Sequence, residues 1–258
     1  MTDPSSTTGT ASAPSPRVVL VTGGNRGIGA ACVEWFLAAG DQVVATYRSA
    51  EPPPIPTAAK GIEDRYLAVR CDVTDPAQVD AAFSEVEAHF GPVEVLVANA
   101  GVTRDTLLLR MTEDAWSEVL DTNLTGSYRV AKRAVAKMLR LHRGRLIFLS
   151  SVGAYVGLPG QANYAASKAG LVGMARALAR EVASRDITVN VVAPGIVDTD
   201  MTAALGDDRM AQLTQSVPLG RAATSEDVAA AVGFLASAGA AYITGAVLPV
   251  DGGLGMGL

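Results

Sequence analysis

Ser151, Tyr164 and Lys168 share the stretch SSVGAYVGLPGQANYAASKAG (150–170), which contains no histidine and no acidic residue. A free phenol has a pKa near ~10 and is a poor acid or base at neutral pH. Lys168 follows Tyr164 by four positions, so a helix puts both on one face. An ammonium there favours phenolate, and a positively charged cofactor ring would favour it further. Lowering the pKa by about 2–3 units requires roughly 3–4 kcal/mol, plausible in a partly desolvated cleft. Tyr164 can then give a proton to a carbonyl oxygen as hydride reaches the carbon, and Ser151 can hydrogen-bond the same oxygen. The trio suits reduction of a ketone, where no acyl-enzyme forms. Its plain alternative is a surface Tyr–Lys pair at an ordinary helical spacing. No G-x-S-x-G elbow surrounds Ser151, which weakens a serine-hydrolase reading. His89 and His142 fall on predicted helices among polar neighbours and read as surface residues.

TGGNRGIG (22–29) follows an apolar run and opens a helical pattern. Gly23, Gly27 and Gly29 let the backbone turn sharply and approach a pyrophosphate, with Asn25, Arg26 and Ile28 between them. The helix start then offers free N–H groups to the anion. No Lys-Ser/Thr pair follows, so this is not a P-loop. The next strand ends Thr46-Tyr47-Arg48 rather than in the acidic residue that holds an NAD ribose. Arg48, helped by Arg26, can bind a 2′-phosphate, which predicts NADPH over NADH. The alternative leaves both arginines as solvated surface residues. Asp72-Val73 and Asn99-Ala100-Gly101 end two further strands, on the rim where ligands lie in an open parallel sheet. Asp72 is either an acceptor for the adenine amino group or a helix cap.

Positioning these residues needs strands whose ends share a rim. Apolar runs at 17–23, 41–48, 65–73, 92–101, 144–151, 187–195 and 246–253 are mostly continuous, as strands covered on both faces are. Helical spacing occupies about 27–39, 75–90, 112–140, 161–185 and 225–237, with capping signals at Thr74-Asp75-Pro76, Thr112-Glu113-Asp114 and Ser225-Glu226-Asp227. The alternation predicts a single α/β, Rossmann-type doubly wound domain over 17–258, a parallel sheet with helices on both faces. Residues 1–16 read as a disordered tail without signal-peptide features, and EPPPIP (51–56) as a surface loop. With 49% hydrophobic residues a sizeable core can form, and a net charge of −5 argues against a nucleic-acid binder. The uncharged 229–250 is punctuated by Gly239, Gly245 and Pro249 and reads as helix, turn and strand rather than a membrane span. Cys32 and Cys71 are too few for a disulfide framework, which fits a reducing, cytoplasmic setting.

TGGNRGIG, NAG (99–101) and Ser151…Tyr164-Ala-Ala-Ser-Lys168 together resemble the short-chain dehydrogenase/reductase family. RDTLLLRMTEDAW (104–116), TNLTG (122–126), the stretch 161–201 and PVDGGLGMG (249–257) resemble its 3-oxoacyl-acyl-carrier-protein reductases of bacterial type II fatty-acid synthesis. GGNRGIG, GPVEVLVANAG and GGLGMG look most like the variant serving mycolic-acid synthesis. The resemblance covers roughly 17–258 and implies strand order 3-2-1-4-5-6-7 and a homotetramer built on the helices at 112–140 and 161–185 and the last strand. It adds Asn123 as holder of a water that links Lys168 to solvent. It implies that Lys168 meets the nicotinamide ribose, that Pro194, Gly195 and Val197 hold the nicotinamide amide with Thr199 nearby, and that 196–215 form a lid. Docking of an acidic acyl carrier protein on this acidic chain would need a local basic patch, for which Arg140, Arg143 and Arg185 are candidates with Lys137 in support, and Arg185 matches a carrier-docking arginine of the family. A second family arginine reads His142 here, which puts that position's role in doubt; the alternative is solvated helix ends. The wall 153–159, apolar at Val156 and Leu158, is expected to line the acyl channel. Alternatives to 3-oxoacyl thioester reduction are a ketoreductase for another carbonyl and a non-catalytic nucleotide-binding scaffold.

Overall fold

A computed structural model describes residues 16–48, 61, 63–199 and 206–256. Its sheet is built from β1 (Val18–Val21), β2 (Gln42–Tyr47), β3 (Tyr66–Arg70), β4 (Val95–Ala98), β5 (Gly144–Leu149), β6 (Ile187–Pro194) and β7 (Val247–Val250). They lie in the order β3-β2-β1-β4-β5-β6-β7, every neighbouring pair parallel. Side chains alternate across a strand, so one apolar run serves two cores. Val18 and Leu20 join the layer under α2 (Pro76–His89), α4 (Gly126–Leu141) and α6 (Ala162–Val182), whereas Val19 and Val21 join the layer under α1 (Gly27–Ala38) and α8 (Ser225–Ala236). That double burial is why the runs are continuous.

The remaining helices are α3 (Glu113–Leu120), the single turn α5 (Gly153–Val156) and α7 (Asp207–Thr214). Asp75 caps α2 by accepting from Ala77 N and Gln78 N. Thr112 caps α3, and Thr224 forms a capping box with Asp227, one residue ahead of the signal read at Ser225. The pattern at 112–140 is not one helix. A π turn at Asp121–Thr125 separates α3 from α4 and buries Thr122 and Asn123.

The apolar stretch 229–250 resolves into α8, a turn and β7, and among the described residues no helix is long and apolar enough to cross a membrane. Cys32 and Cys71 are buried and free, their thiols pushed up to about 12 and about 11 by burial. Residues 1–15 of the expected tail, the loop 51–56 and residues 200–205 of the expected lid lie outside the described residues.

Candidate active site

The glycine turn joins β1 to α1, and its conformation leaves no freedom to other residues at two points. Gly23 has φ +63°, and a Cβ on Gly29 would overlap Gly23 O. The turn is also held from behind. Gly24 N donates to Thr46 O (3.0 Å), and Asn99 Nδ2 donates to Thr22 O (2.9 Å) and Gly23 O (3.1 Å). Buried Thr22 accepts from Asn99 N and Ala100 N, both at 3.0 Å. Asn99 therefore shapes the turn with its side chain. A backbone cradle that a methyl group would fill, opening onto the N-terminus of α1, fits a dinucleotide pyrophosphate.

Arg26, in the N-cap position of α1, and Arg48, just beyond β2, are exposed. Ile28 faces inward against the core, and Asn25 stands half-buried in the turn. Asp72 makes a local turn, Oδ1 accepting from Thr74 N (2.9 Å) and Thr74 Oγ1 (2.7 Å). Since Asp75 caps α2, Asp72 is not the cap. Val73 puts its side chain into the core, so only its backbone is available to a ligand. Gly195 N donates to Val250 O (3.0 Å), and Val197 pairs with Ala223 in an isolated bridge. Pro194 O accepts from Val152 N (2.8 Å), which ties the end of β6 to the loop after Ser151. Thr199 comes back to the glycine turn: a Cβ on Gly27 would lie 3.4 Å from Thr199 Cγ2. The loop after β6 thus packs against the turn after β1.

Tyr164 and Lys168 lie in the first turns of α6, beside the ends of β4 and β5. Lys168 is buried, and its ammonium donates to Leu149 O (2.7 Å) and stands 5.7 Å from the Tyr164 ring centre. Its backbone carbonyl accepts from Ser150 Oγ (2.9 Å). Burial holds the Lys168 amine down at about 8. A Cβ on Gly101 would lie 3.2 Å from Asn123 Oδ1 and 3.5 Å from Lys168 Nζ, so these three residues meet. Asn123 is fully buried. Its Oδ1 accepts from Val102 N (2.8 Å), and its Nδ2 donates to Val102 O (3.0 Å) and Ser167 Oγ (3.0 Å).

The phenol departs from the expected electrostatics. Its pKa is raised, first by desolvation and also by the Asp105 charge, against a lowering hydrogen bond with Ser151. Lys168 is not what sets it, because its ammonium is spent on the Leu149 carbonyl and is itself poorly solvated. The protein alone therefore keeps Tyr164 in the protonated form, which is the form a proton donor requires.

Elsewhere, His142 is not in a helix. It is the left-handed residue ending α4 (φ 52°), and its Nε2 lies 2.7 Å from Arg185 Nη1. That contact brings Arg185 to the end of α4, whose last turn carries Arg140. Arg143 is paired with Glu94 (2.8 Å) and Lys137 with Glu87 (3.4 Å), so these two are partly committed. His89, at the end of α2, is exposed. Val156 and Leu158 are exposed just beyond Ser151.

Thr22, Thr46, Ser150, Asn163 and Ser167 are supporting residues that lie within the quoted motifs but to which the sequence assigned no role. Each sits beside a motif residue, and that adjacency was the only available signal.

The family model described as Enoyl-(Acyl carrier protein) reductase matches residues 23–255. Among curated relatives, a 3-oxoacyl-[acyl-carrier-protein] reductase MabA of Mycobacterium bovis is 53% identical, covering 93% of this chain and 94% of the relative. The 3-oxoacyl-[acyl-carrier-protein] reductases FabG of Salmonella typhimurium and Escherichia coli are 47% and 46% identical, each covering 93% of this chain and 98% of the relative.

Proposed function

Since the chain belongs to the short-chain dehydrogenase/reductase family, we propose that it uses NADPH to reduce 3-oxoacyl thioesters to 3-hydroxyacyl thioesters in fatty-acid synthesis. The observation that carries this reading is that Lys168 and Asn123 come together beside Gly101, with the Tyr164 ring 5.7 Å from the Lys168 ammonium and Ser151 facing the phenol. The nicotinamide cofactor, when bound, supplies hydride to the substrate carbonyl carbon. Gly23, Gly27 and Gly29 would hold its pyrophosphate, Arg26 and Arg48 the 2′-phosphate, Asp72 and the backbone of Val73 the adenine, and Pro194, Gly195, Val197 and Thr199 the nicotinamide side.

Tyr164 donates its phenolic proton to the carbonyl oxygen, which becomes the alcohol. Ser151 hydrogen-bonds that oxygen and lowers the cost of its developing charge. Lys168, with an amine held at about 8, can pass a proton back to the phenolate near neutral pH. Asn123 holds the packing around Lys168 and, in this reading, the water through which Lys168 refills. Exposed Val156 and Leu158 offer apolar contact to the acyl chain. Arg185 and Arg140 are the docking cations for an acidic acyl carrier protein, with Arg143 secondary. The same reading carries a cytoplasmic homotetramer built on the helices at 112–140 and 161–185 and the last strand, for which the exposed Tyr128 and Leu139 on α4 supply apolar surface.

The test follows NADPH oxidation with acetoacetyl-CoA, longer 3-oxoacyl thioesters, their carrier-linked forms, simple ketones and a 2-enoyl thioester. Turnover of the 3-oxoacyl compounds is expected. Turnover of the enoyl thioester alone would favour the reaction in the family model's description instead. Tyr164→Phe should lose about 10²–10⁴ in kcat while retaining NADPH binding; undiminished turnover would remove the phenol from the mechanism.

A further inference from the structure

Three side chains around Tyr164 are left unused by the proton-transfer scheme: Asp105, Gln161 and Asn163. Asn163 immediately precedes the tyrosine and is completely buried. Its amide uses both of its donors and one acceptor site. Nδ2 donates to Arg104 O (3.2 Å) and to Ala115 O (3.1 Å), and Oδ1 accepts from Tyr164 N (2.8 Å). One bond reaches the loop after β4 and another reaches α3. Two further stitches lie just upstream: Thr106 N donates to Gly160 O (2.8 Å), and Gln161 Nε2 donates to Asp105 Oδ2 (2.7 Å). From the other side, Ser167 Oγ donates to Tyr164 O (2.7 Å) and accepts from Asn123 Nδ2 (3.0 Å).

Asparagine is a mediocre helix former and is rarely fully buried, so neither helix propensity nor core packing explains it at this position. Its amide does what no apolar residue could: it crosslinks the start of α6 to two other elements. The phenolic oxygen lies at the far end of a long side chain, so a small tilt of that helix end becomes a large displacement at the reacting atom. Proton transfer tolerates little of that, since the donor must stay within hydrogen-bond reach of the carbonyl oxygen.

We propose that Asn163 is a positioning residue for Tyr164, with the Asp105–Gln161 pair as its outer stitch, together fixing the first turn of α6 against the 104–106 loop. This rests on the reading of Tyr164 as the proton donor. The groups that face the phenol are the Ser151 hydroxyl from the loop after β5, the Asp105 carboxylate from the loop after β4, and Lys168 from its own helix. Asp105 therefore serves twice, by a bond to Gln161 and by a charge that opposes phenolate.

The two roles separate in the full-length protein by comparing Asn163→Asp, Asp105→Ala and Asp105→Asn. Asn163→Asp keeps size and acceptor but loses both donors. Its kcat for acetoacetyl-CoA should fall by about 10- to 100-fold with the KM for NADPH changed less than about twofold. Asp105→Ala breaks the outer stitch and should cost about 3- to 10-fold in kcat, whereas Asp105→Asn, which still accepts from Gln161, should recover most of it. An ultraviolet difference titration against Tyr164→Phe should show the phenol ionising at lower pH in both Asp105 variants.

A folded Asn163→Asp with wild-type kcat overturns the proposal, as does a loss confined to KM. Should Asn163→Asp fail to fold, equal kcat in the wild type, Asp105→Ala and Asp105→Asn overturns it. If the wild type reduces no carbonyl thioester, the proposed function fails instead. The positioning claim is then decided by amide hydrogen exchange at the start of α6, where unchanged protection in a folded Asn163→Asp overturns it.

Discussion

Arg48 stands exposed just beyond β2, and as a phosphate ligand it would act through its charge and its fork of donors. Replacing Arg48 with Glu should lower kcat/KM for NADPH by about 10- to 100-fold and leave NADH use equal or improved. Steady-state kinetics with both cofactors decides this; an unchanged NADPH preference removes Arg48 from the site. The candidate residue types stand out in the sequence because each would act with a group no neighbour can supply: a guanidinium, a phenol, an amine, an absent side chain. Tyr164 shows where residue identity stopped being enough. The sequence pairs it with Lys168 and predicts a lowered pKa, but the sign follows from desolvation and Asp105, and neither depends on helical spacing.

The break between α3 and α4 decides how Asn123 reaches Lys168. Helical periodicity runs through 112–140 without interruption, and a π turn inserts little into that pattern. What holds the break is contact with other elements. Asn123 bonds Val102 and Ser167, Ser127 Oγ donates to Asn123 O (2.7 Å), and α4 begins at Gly126, where a Cβ would lie 2.6 Å from Val73 Cγ2. Gly126→Ala should therefore destabilise the fold despite the better helix propensity of alanine. Overpacking of this kind costs about 1–3 kcal/mol against about 1 kcal/mol gained. A lower urea midpoint, with kcat reduced as Asn123 shifts, is the expected result; an unchanged midpoint would show that Val73 yields freely. The strands were easier to read, because burial on both faces writes itself as an uninterrupted apolar run.

At the scale of the molecule, buried ionisable groups set how stability depends on pH. Lys168 falls from 10.5 unfolded to about 8 folded. Between those values the unfolded chain holds more protons, so stability rises with pH from 8. Cys32 and Cys71 run the other way, from 9.0 to about 12 and about 11, and Tyr66 goes from 10.0 to about 12. Above pH 9 the unfolded thiols ionise first and stability falls. Urea titrations should give a shallow maximum between pH 8 and 9, only a few tenths (~0.3) of a kcal/mol above the value at pH 8 because the thiols already offset most of the Lys168 gain, and a clear loss by pH 11. A Lys168→Met variant should lack the rise below pH 9; a rise that survives the substitution assigns it to another group. Charge also governs partners. A chain of net charge −5 meets an acidic carrier only through a local patch, so Arg185→Glu should raise KM for a carrier-linked substrate and spare acetoacetyl-CoA. Equal effects on both would refute docking there.

The sequence by itself determined the α/β architecture, the glycine turn and the residue types that can do chemistry. Those properties are local: alternation of strand and helix, apolar runs, and spacings of one helical turn. Tertiary structure alone decided that Asn123 meets Lys168 beside Gly101, that Asp105 and Asn163 brace Tyr164, and that the phenol is held protonated. Each of these arises between segments far apart in the chain, where a hydrogen bond or the exclusion of water depends on which surfaces the fold presses together.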